Sequence, residues 1–246
     1  MNSFSRHAAT YDDYAFVQRD IAVRLLDEFD YPAAENILEI GCGTGNYTAL
    51  LRTRFLKARI TALDISGPML NIAVKKNIEG IAFLKADAAT FTTAERFDLI
   101  TSNACLQWID GLEAALMRYK EMLMPGGVMT FSTFGPQTYH ELAHAVCLAG
   151  VGGNIAAQDF LPQEELTCIL KKVFNSFEVK QFFIKEDFND LNSFLRSVKY
   201  SGTYGPGLNG KAGLTRGQLK RLESAYRERF NKITATYEVF LCLVKS

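Results

Sequence analysis

The 246-residue sequence predicts an α/β fold, a doubly wound and mostly parallel seven-stranded sheet carrying a helical insertion and a C-terminal antiparallel edge strand. Three observations predict it. Short apolar runs alternate with helix-length segments through residues 30–135, joined by short links, the pattern of a parallel sheet with helices on both faces. A glycine-rich turn, Gly41-Cys42-Gly43-Thr44-Gly45, separates the first strand from the helix after it. Beyond Gly135 the rhythm changes to helices with only two further strands.

The elements follow in order. Residues 13–29 read as a helix, with Ile21, Leu25, Leu26 and Phe29 at helical spacing. After Pro32, Ile37-Leu38-Glu39-Ile40 reads as a buried strand, and a helix extends from the glycine turn to Phe55. Residues 59–63 form the next strand, and residues 68–76 a helix with Pro68 near its first turn. Strands at 81–85 and 98–102 precede a helix at 112–123, which ends before Pro125-Gly126-Gly127, and residues 128–134 are rich in β-formers. Helices at 139–148 and 163–174, a strand at 178–184, helices at 191–200 and 216–230 around a glycine-rich link at 202–213, and a strand at 234–244 complete the chain. The two late strands read as a hairpin-like pair at the sheet edge. The expected organisation is one Rossmann-like domain over residues 1–246, its core at about 30–135 plus 177–187 and 232–245, with a helical lid at 136–175 and 188–231 over the rim where open α/β sheets bind ligands.

Composition narrows the function. Lys plus Arg (27) equals Asp plus Glu (27), which argues against a nucleic-acid binder that works by bulk charge. The five cysteines form no C-x-x-C pair and no metal spacing, and read as free thiols of a reducing compartment. Residues 1–14 lack the apolar core of a signal peptide, and no apolar run is long enough to span a membrane, so the expectation is a cytoplasmic protein without membrane attachment. His140-Glu141-Leu142-Ala143-His144 fits the H-E-x-x-H pattern of zinc proteases. It follows a complete α/β core of another kind, and no metal is expected.

The glycine turn is the most informative segment. Glu39-x-Gly41-x-Gly43-x-Gly45 lets the backbone turn tightly and approach a ligand closely. The dinucleotide fingerprint is G-x-G-x-x-G, whereas here the third glycine comes one residue early and Asn46 stands in its place. The spacing resembles motif I of S-adenosylmethionine methyltransferases, whose cofactor carries an amino-acid carboxylate, an ammonium and a sulfonium. On that reading Asp64, at the end of the second strand, accepts the ribose hydroxyls, Asp87 with Ala88 accepts the adenine amino group, Ile65 and Met69 sandwich the ring, and Asn103 lies beside the methionine moiety. The catalytic Asn/Asp-Pro-Pro-aromatic motif of some amino-methylating families is missing after the fourth strand, where the chain reads Asn103-Ala104-Cys105-Leu106. A carboxylate acceptor needs no general base near neutral pH, only alignment and removal of its water shell. Tyr11, Gln107, Trp108 and Tyr200 are candidates for that pocket.

Nearly end to end, the chain resembles the malonyl-acyl-carrier-protein O-methyltransferase family of biotin synthesis. The resemblance rests on Phe4-Ser5-Arg6-His7-Ala8-Ala9-Thr10-Tyr11-Asp12, on Leu38 to Gly45, on Ala62 to Leu70, on Ser102-Asn103 with Gln107-Trp108, and on Phe160-Leu161-Pro162. Ser197-Val198-Lys199 with Gly202, Leu214-Thr215-Arg216-x-Gln218-Leu219 and Thr236-Tyr237-Glu238-Val239-Phe240-Leu241 extend it, while His7 and the Tyr204-Gly205-Pro206-Gly207 link depart from the pattern. It implies an N-terminal segment (1–30) folded over the cofactor, methylation of the free carboxyl of malonyl-acyl carrier protein, and S-adenosylhomocysteine as the other product. The carrier protein is acidic, so a basic face is expected from Arg196, Arg216, Lys220, Arg221 and Arg227, with Leu219, Leu222, Tyr226 and Phe230 turned to the core. Lys199 or Arg196 could instead pair with the malonyl carboxylate. Two other readings remain at this stage: a methyltransferase for a free small acid, and a related cofactor-binding assembly factor. The Phe-Leu-Pro and Leu-Thr-Arg segments favour the carrier-protein enzyme.

Overall fold

A computed structural model describes residues 3–31, 33–153, 155–201 and 214–245; the link at 202–213, with Tyr204 to Gly207, lies outside the described residues. In chain order the elements are α1 (Ser3–Tyr11), α2 (Phe16–Glu28), β1 (Asn36–Ile40), α3 (Asn46–Arg54), β2 (Arg59–Asp64), α4 (Gly67–Lys75), β3 (Ile81–Lys85) and β4 (Phe97–Ser102). Then come α5 (Leu112–Met122), β5 (Leu123–Phe134), α6 (His140–Leu148), α7 (Gln163–Val173), β6 (Ser176–Phe188), α8 (Leu191–Tyr200), α9 (Arg216–Phe230) and β7 (Ile233–Lys245). The seven strands form one mixed sheet in the order β3-β2-β1-β4-β5-β7-β6. Two details differ from expectation: α1 is an additional helix, and β5 starts at Leu123, ahead of Pro125, with a register shift between Phe97 and Leu99. Among the described residues, no helix is long and apolar enough to cross a membrane.

The chain divides into two compact units, one of Met1–Thr133, Gln163–Lys180 and Phe240–Ser246, the other of Phe134–Pro162 and Gln181–Val239. In the first, β1 is buried along four of its five residues and sits between two parallel neighbours, with Ile37 opposite both Ile60 and Leu99. A strand covered on both faces has to be apolar throughout, which is why this segment reads as a continuous hydrophobic run. β2 and β4 lie on opposite sides of β1, so the strand order reverses there and a crevice opens beyond the carboxyl ends of β1 and β4. Pro68 and the Ser66 cap, whose hydroxyl accepts the Met69 N–H at 3.3 Å, start α4 directly after β2. α7 packs on α5 in this unit, whereas the sequence reading grouped residues 163–175 with the lid.

In the second unit β7 runs antiparallel to the end of β5. The Gly135 N–H donates to Glu238 O and the Tyr139 N–H to Thr236 O, so one chain ascends as the other descends. The C-terminal strand lies between β5 and β6, leaving β6, half-exposed in alternation, as the outer strand. Two buried acids anchor this corner. Glu238 accepts the Gln137 N–H at 2.7 Å and Gln181 Nε2 at 2.6 Å, and Glu141 accepts both the N–H and the hydroxyl of Thr236. Glu141 of the H-E-x-x-H match is thus committed to the sheet, and His140 is exposed.

The interior of the second unit is aromatic. Phe194 of α8 meets Tyr139 at 5.5 Å, Phe188 at 5.1 Å and Tyr226 of α9 at 6.2 Å between ring centroids. Leu222 and Tyr226 are buried as the helical spacing predicted, with Leu219 and Phe230 half-buried beside them. A capping box, Thr215 with Gln218, starts α9. Because Phe194 is fully buried at the centre of these rings, Phe194→Ala is expected to cost about 3–5 kcal/mol. A urea midpoint within error of the parent protein's would remove Phe194 from that central role.

Candidate active site at the glycine loop

The loop after β1 is held by main-chain bonds before any side chain acts. The Gly41 and Cys42 N–H groups both donate to Leu63 O, and the Gly43 N–H donates to Asp64 Oδ2 at 2.9 Å. Asp64 Oδ1 accepts the Ser66 N–H at 2.7 Å, so one carboxylate ties the glycine loop to the turn that begins α4. Burial raises the Asp64 carboxyl, and the Ser66 and Gly43 N–H groups oppose that rise without cancelling it. At Gly41 (φ +71°) a Cβ would lie 2.2 Å from Cys105 Sγ, which no side chain tolerates. At Gly43 (φ +54°) a Cβ would meet nothing within 4 Å, so bare backbone faces open space. Gly45 caps α3 in the left-handed conformation.

Beneath the loop, Glu39 is 1 % exposed, and neither carboxylate oxygen accepts a hydrogen bond among the described residues. Burial pushes its carboxyl up to about 8, the adjacent Thr48 hydroxyl opposing and the Asp64 charge adding. A cavity of about 40 Å³ opens beside the loop, lined by Gly41 to Thr44, Asn46 and Tyr47 on one side and by Tyr11, Gln18, Arg19 and Asn103 on the other. Tyr47 is fixed by a buried run of hydroxyls, meeting Thr101 at 2.8 Å, which meets Thr130 at 3.1 Å, which meets Tyr31 at 3.3 Å.

The N-terminal helices close over this loop. α1 packs on α4, and the Ser5 and Ser66 hydroxyls meet at 2.9 Å. Asp12 reaches across it: Oδ1 accepts the Thr44 hydroxyl at 2.6 Å and Asn46 Nδ2 at 2.9 Å, and Oδ2 pairs with Lys76 at 3.0 Å. Burial works against the Asp12 charge, yet these partners hold its carboxyl below the ordinary value. Asn103 Nδ2 donates to Gln18 O at 2.9 Å while its Oδ1 accepts the Ser132 hydroxyl at 2.8 Å. Ala104, the next residue, sits at φ +50°, its N–H shared between Ser132 Oγ and Ser132 O. Phe4 stands between Tyr11 (6.5 Å) and Trp108 (5.8 Å), so three rings meet edge to face. Burial raises the Tyr11 hydroxyl well above its ordinary value, helped by the charges of Asp12, Asp64 and Cys105 and opposed by Arg19; it remains a donor at neutral pH.

The structure therefore gathers Glu39, Gly41, Gly43, Gly45, Asp64, Asn103, Tyr11 and Trp108 in the first unit. Ile65 is exposed, and Met69 is buried in the first turn of α4. Asp87, exposed beyond β3, turns one oxygen to the Ala89 N–H at 2.9 Å, and Ala88 O accepts the Tyr119 hydroxyl at 2.7 Å. The Gln107 amide is engaged at both ends, with Ala104 O and the Thr133 hydroxyl, and so braces the loop after β4. Lys199, Tyr200 and Arg196 belong to α8 in the second unit, where Lys199 lies 5.7 Å above the Tyr200 ring. Arg216, Lys220, Arg221 and Arg227 are exposed on α9. Arg227 is held by Glu223 and donates to Asn189 O at 2.8 Å, an internal role in place of a free cation. Sequence reasoning missed Asp12, Gln18, Arg19, Thr44 and Asn46. The available signal was Gln18, a polar residue on the buried face of α2 between Val17 and Ile21.

These groups suit an adenosyl amino acid with a cationic end. Gly43 leaves backbone open to close approach, Asp64 keeps lone pairs for a diol, and Glu39 supplies a carboxyl whose oxygens have no hydrogen-bond partner among the described residues. Glu39 binds its proton more tightly in the folded than in the unfolded chain, so stability falls as pH rises from about 4 towards 8. The urea unfolding free energy of the ligand-free protein is expected to drop across that window by on the order of 4 kcal/mol, a drop that Glu39→Gln removes. Equal slopes for the two proteins would mean that Glu39 stays charged in the fold.

Comparison with known proteins agrees with this geometry. A family profile described as a methyltransferase domain matches residues 37–127. Malonyl-acyl-carrier-protein O-methyltransferase 1 of Ilyobacter polytropus is 35 % identical, over 93 % of this chain and 85 % of its own length. The enzyme of that name from a Paenibacillus species is 33 % identical over 97 % of this chain and 95 % of its own. Among solved structures, YcgJ of Bacillus subtilis superposes with a TM-score of 0.64 at 14 % identity, covering 91 % of this chain and 97 % of its own. The N-methyltransferase NodS of Bradyrhizobium japonicum, solved with S-adenosylhomocysteine, gives 0.53 at 18 %, covering 98 % and 95 %. At those identities the structures speak for the fold, a Rossmann-like methyltransferase sheet with one antiparallel strand. The sequence relatives, at a third identity over nearly the whole chain, carry more: this chain belongs to the malonyl-acyl-carrier-protein O-methyltransferase family, S-adenosylmethionine-dependent enzymes.

Proposed function

We propose that the chain transfers the methyl group of S-adenosylmethionine to the free carboxylate of a malonyl thioester on acyl carrier protein, for the pimeloyl chain of biotin, in the cytoplasm. The observation that carries the reading is a cofactor loop flanked by an aromatic wall, Tyr11, Phe4 and Trp108, whose one phenol beside the loop is held protonated. When bound, S-adenosylmethionine supplies a methyl group on a positively charged sulfur, and an ionised carboxylate needs no proton removed to accept it. The chain's part is to bind, align and dry the reactants. Asp64 takes the ribose hydroxyls, Asp87 and Ala88 the adenine edge, Ile65 and Met69 its faces, Glu39 and Asn103 the amino-acid end, and Tyr11 donates towards the acceptor. Methylation removes a negative charge from the end of the acyl chain, so the product fits apolar synthase pockets that reject the free acid.

Similarity to named carrier-protein enzymes over more than nine-tenths of the chain supports the acceptor. The exposed cations of the second unit, Arg196, Arg216, Lys220 and Arg221, suit an acidic carrier protein. Purified protein with labelled S-adenosylmethionine is expected to methylate malonyl-acyl carrier protein in strong preference to malonate or malonyl-coenzyme A. Equal turnover of all three would favour an enzyme for free small acids, and cofactor binding without methyl transfer would favour an assembly role. Reversing Lys220 and Arg221 to Glu is expected to raise KM for the carrier protein about tenfold at low salt and less at high salt, with kcat little changed. A KM that does not move would place the docking face elsewhere.

A further inference from the structure

Arg19 is the one charged residue among those lining the cavity beside the glycine loop. Its position is doubly fixed. Nη1 donates to the main-chain oxygen of Asp12 at 2.6 Å, and the guanidinium lies over the Phe16 ring, 4.7 Å from its centroid. Neither contact neutralises it, because a carbonyl and a ring face carry no net charge. Among the described residues Arg19 forms no ion pair. The adjacent acid, Asp20, pairs with Arg24 at 3.0 Å, and Asp12 has its carboxylate taken by Thr44, Asn46 and Lys76, so the residue whose carbonyl aims Arg19 does not quench it. Half-buried, preorganised and without an ion pair among the described residues, Arg19 lines the cavity together with the loop residues Gly41 to Thr44.

An arginine held in this way is a receptor for a small carboxylate, since its remaining N–H groups form charge-assisted hydrogen bonds at little further entropic cost. Two carboxylates come near this site under the proposed function: that of the cofactor's amino-acid end and that of the acceptor. The lining favours the first. It includes the glycine-loop residues Gly41 to Thr44 and Asn103, and of the aromatic wall offered to the acceptor it includes Tyr11 alone, while Phe4 and Trp108 do not line this cavity. We infer that Arg19 binds the amino-acid carboxylate of S-adenosylmethionine and of its product. The inference rests on the proposed cofactor and adds a residue to its site.

Calorimetric titration of the full chain tests it with two probes, S-adenosylhomocysteine and 5′-methylthioadenosine, which keeps the adenosyl thioether but lacks the amino-acid end. Arg19→Met is expected to weaken S-adenosylhomocysteine about 10- to 100-fold and leave 5′-methylthioadenosine unchanged, with Arg19→Lys recovering part of the loss. Equal weakening of both probes would reveal general damage to the fold and overturn the assignment. Unchanged S-adenosylhomocysteine affinity with a raised KM for the malonyl substrate would also overturn it, giving Arg19 to the acceptor. If the parent protein bound neither probe, the cofactor reading itself would fall, and the inference with it.

Discussion

Two backbone N–H groups, those of Gly43 and Ser66, converge on the carboxylate of Asp64, and the geometry of the site follows from that convergence. The glycine loop has little to hold it: its residues contribute few side-chain contacts, and glycine carries the largest conformational entropy to be lost on folding. Main-chain bonds to Leu63 O and the grip of Asp64 supply the constraint from the neighbouring strand. A single acid thereby sets the height of the loop above β1 and the start of α4. It also keeps lone pairs directed outward, so one carboxylate has a structural and a ligand-facing duty.

The N-terminal helices add a second layer of control. Asp12 divides its groups between two tasks, its side chain clasping Thr44, Asn46 and Lys76 and its carbonyl aiming Arg19. Exposed ion pairs contribute little, but this one is partly shielded and shares its acid with two neutral donors, an arrangement that fixes position more than it adds stability. The loop is therefore bounded below by β1 and Glu39 and above by α1 and α2. Above, Arg19 carries its charge without an ion pair among the described residues, while burial holds the Glu39 carboxyl beneath towards its neutral form.

Much of this was legible from the chain alone. β1 declared itself because a strand buried on both faces must be continuously apolar, and the glycine turn because close backbone approach excludes side chains. Asp64 was legible as an acid at a strand tip. Helix α9 was legible in both period and cap, Leu222 and Tyr226 turning inward and Thr215 pairing with Gln218. The clasp was not. Asp12 and Arg19 meet the loop because α1 packs on α4 and α2 on α3, contacts between distant segments that no local pattern encodes. Gln107 and Arg227 showed the opposite failure: their side chains look available in sequence, yet local partners, Ala104 O and Glu223, and distant ones, the Thr133 hydroxyl and Asn189 O, engage both. The H-E-x-x-H match failed for the same reason, its acid being required by Thr236.

Ala104 has a wider consequence. A side-chain-bearing residue in the left-handed region is held there against its own preference, at a cost of about 1 kcal/mol or more. Ser132 offsets that cost by taking the Ala104 N–H with both its hydroxyl and its carbonyl, while the same hydroxyl orients Asn103. The corner after β4 thus behaves as a sprung joint latched by one serine on the adjacent strand. Loosening the latch would release the alanine towards ordinary backbone angles and swing the asparagine away from the glycine loop, so a change of one hydroxyl on β5 reaches the cofactor side of the sheet without touching it.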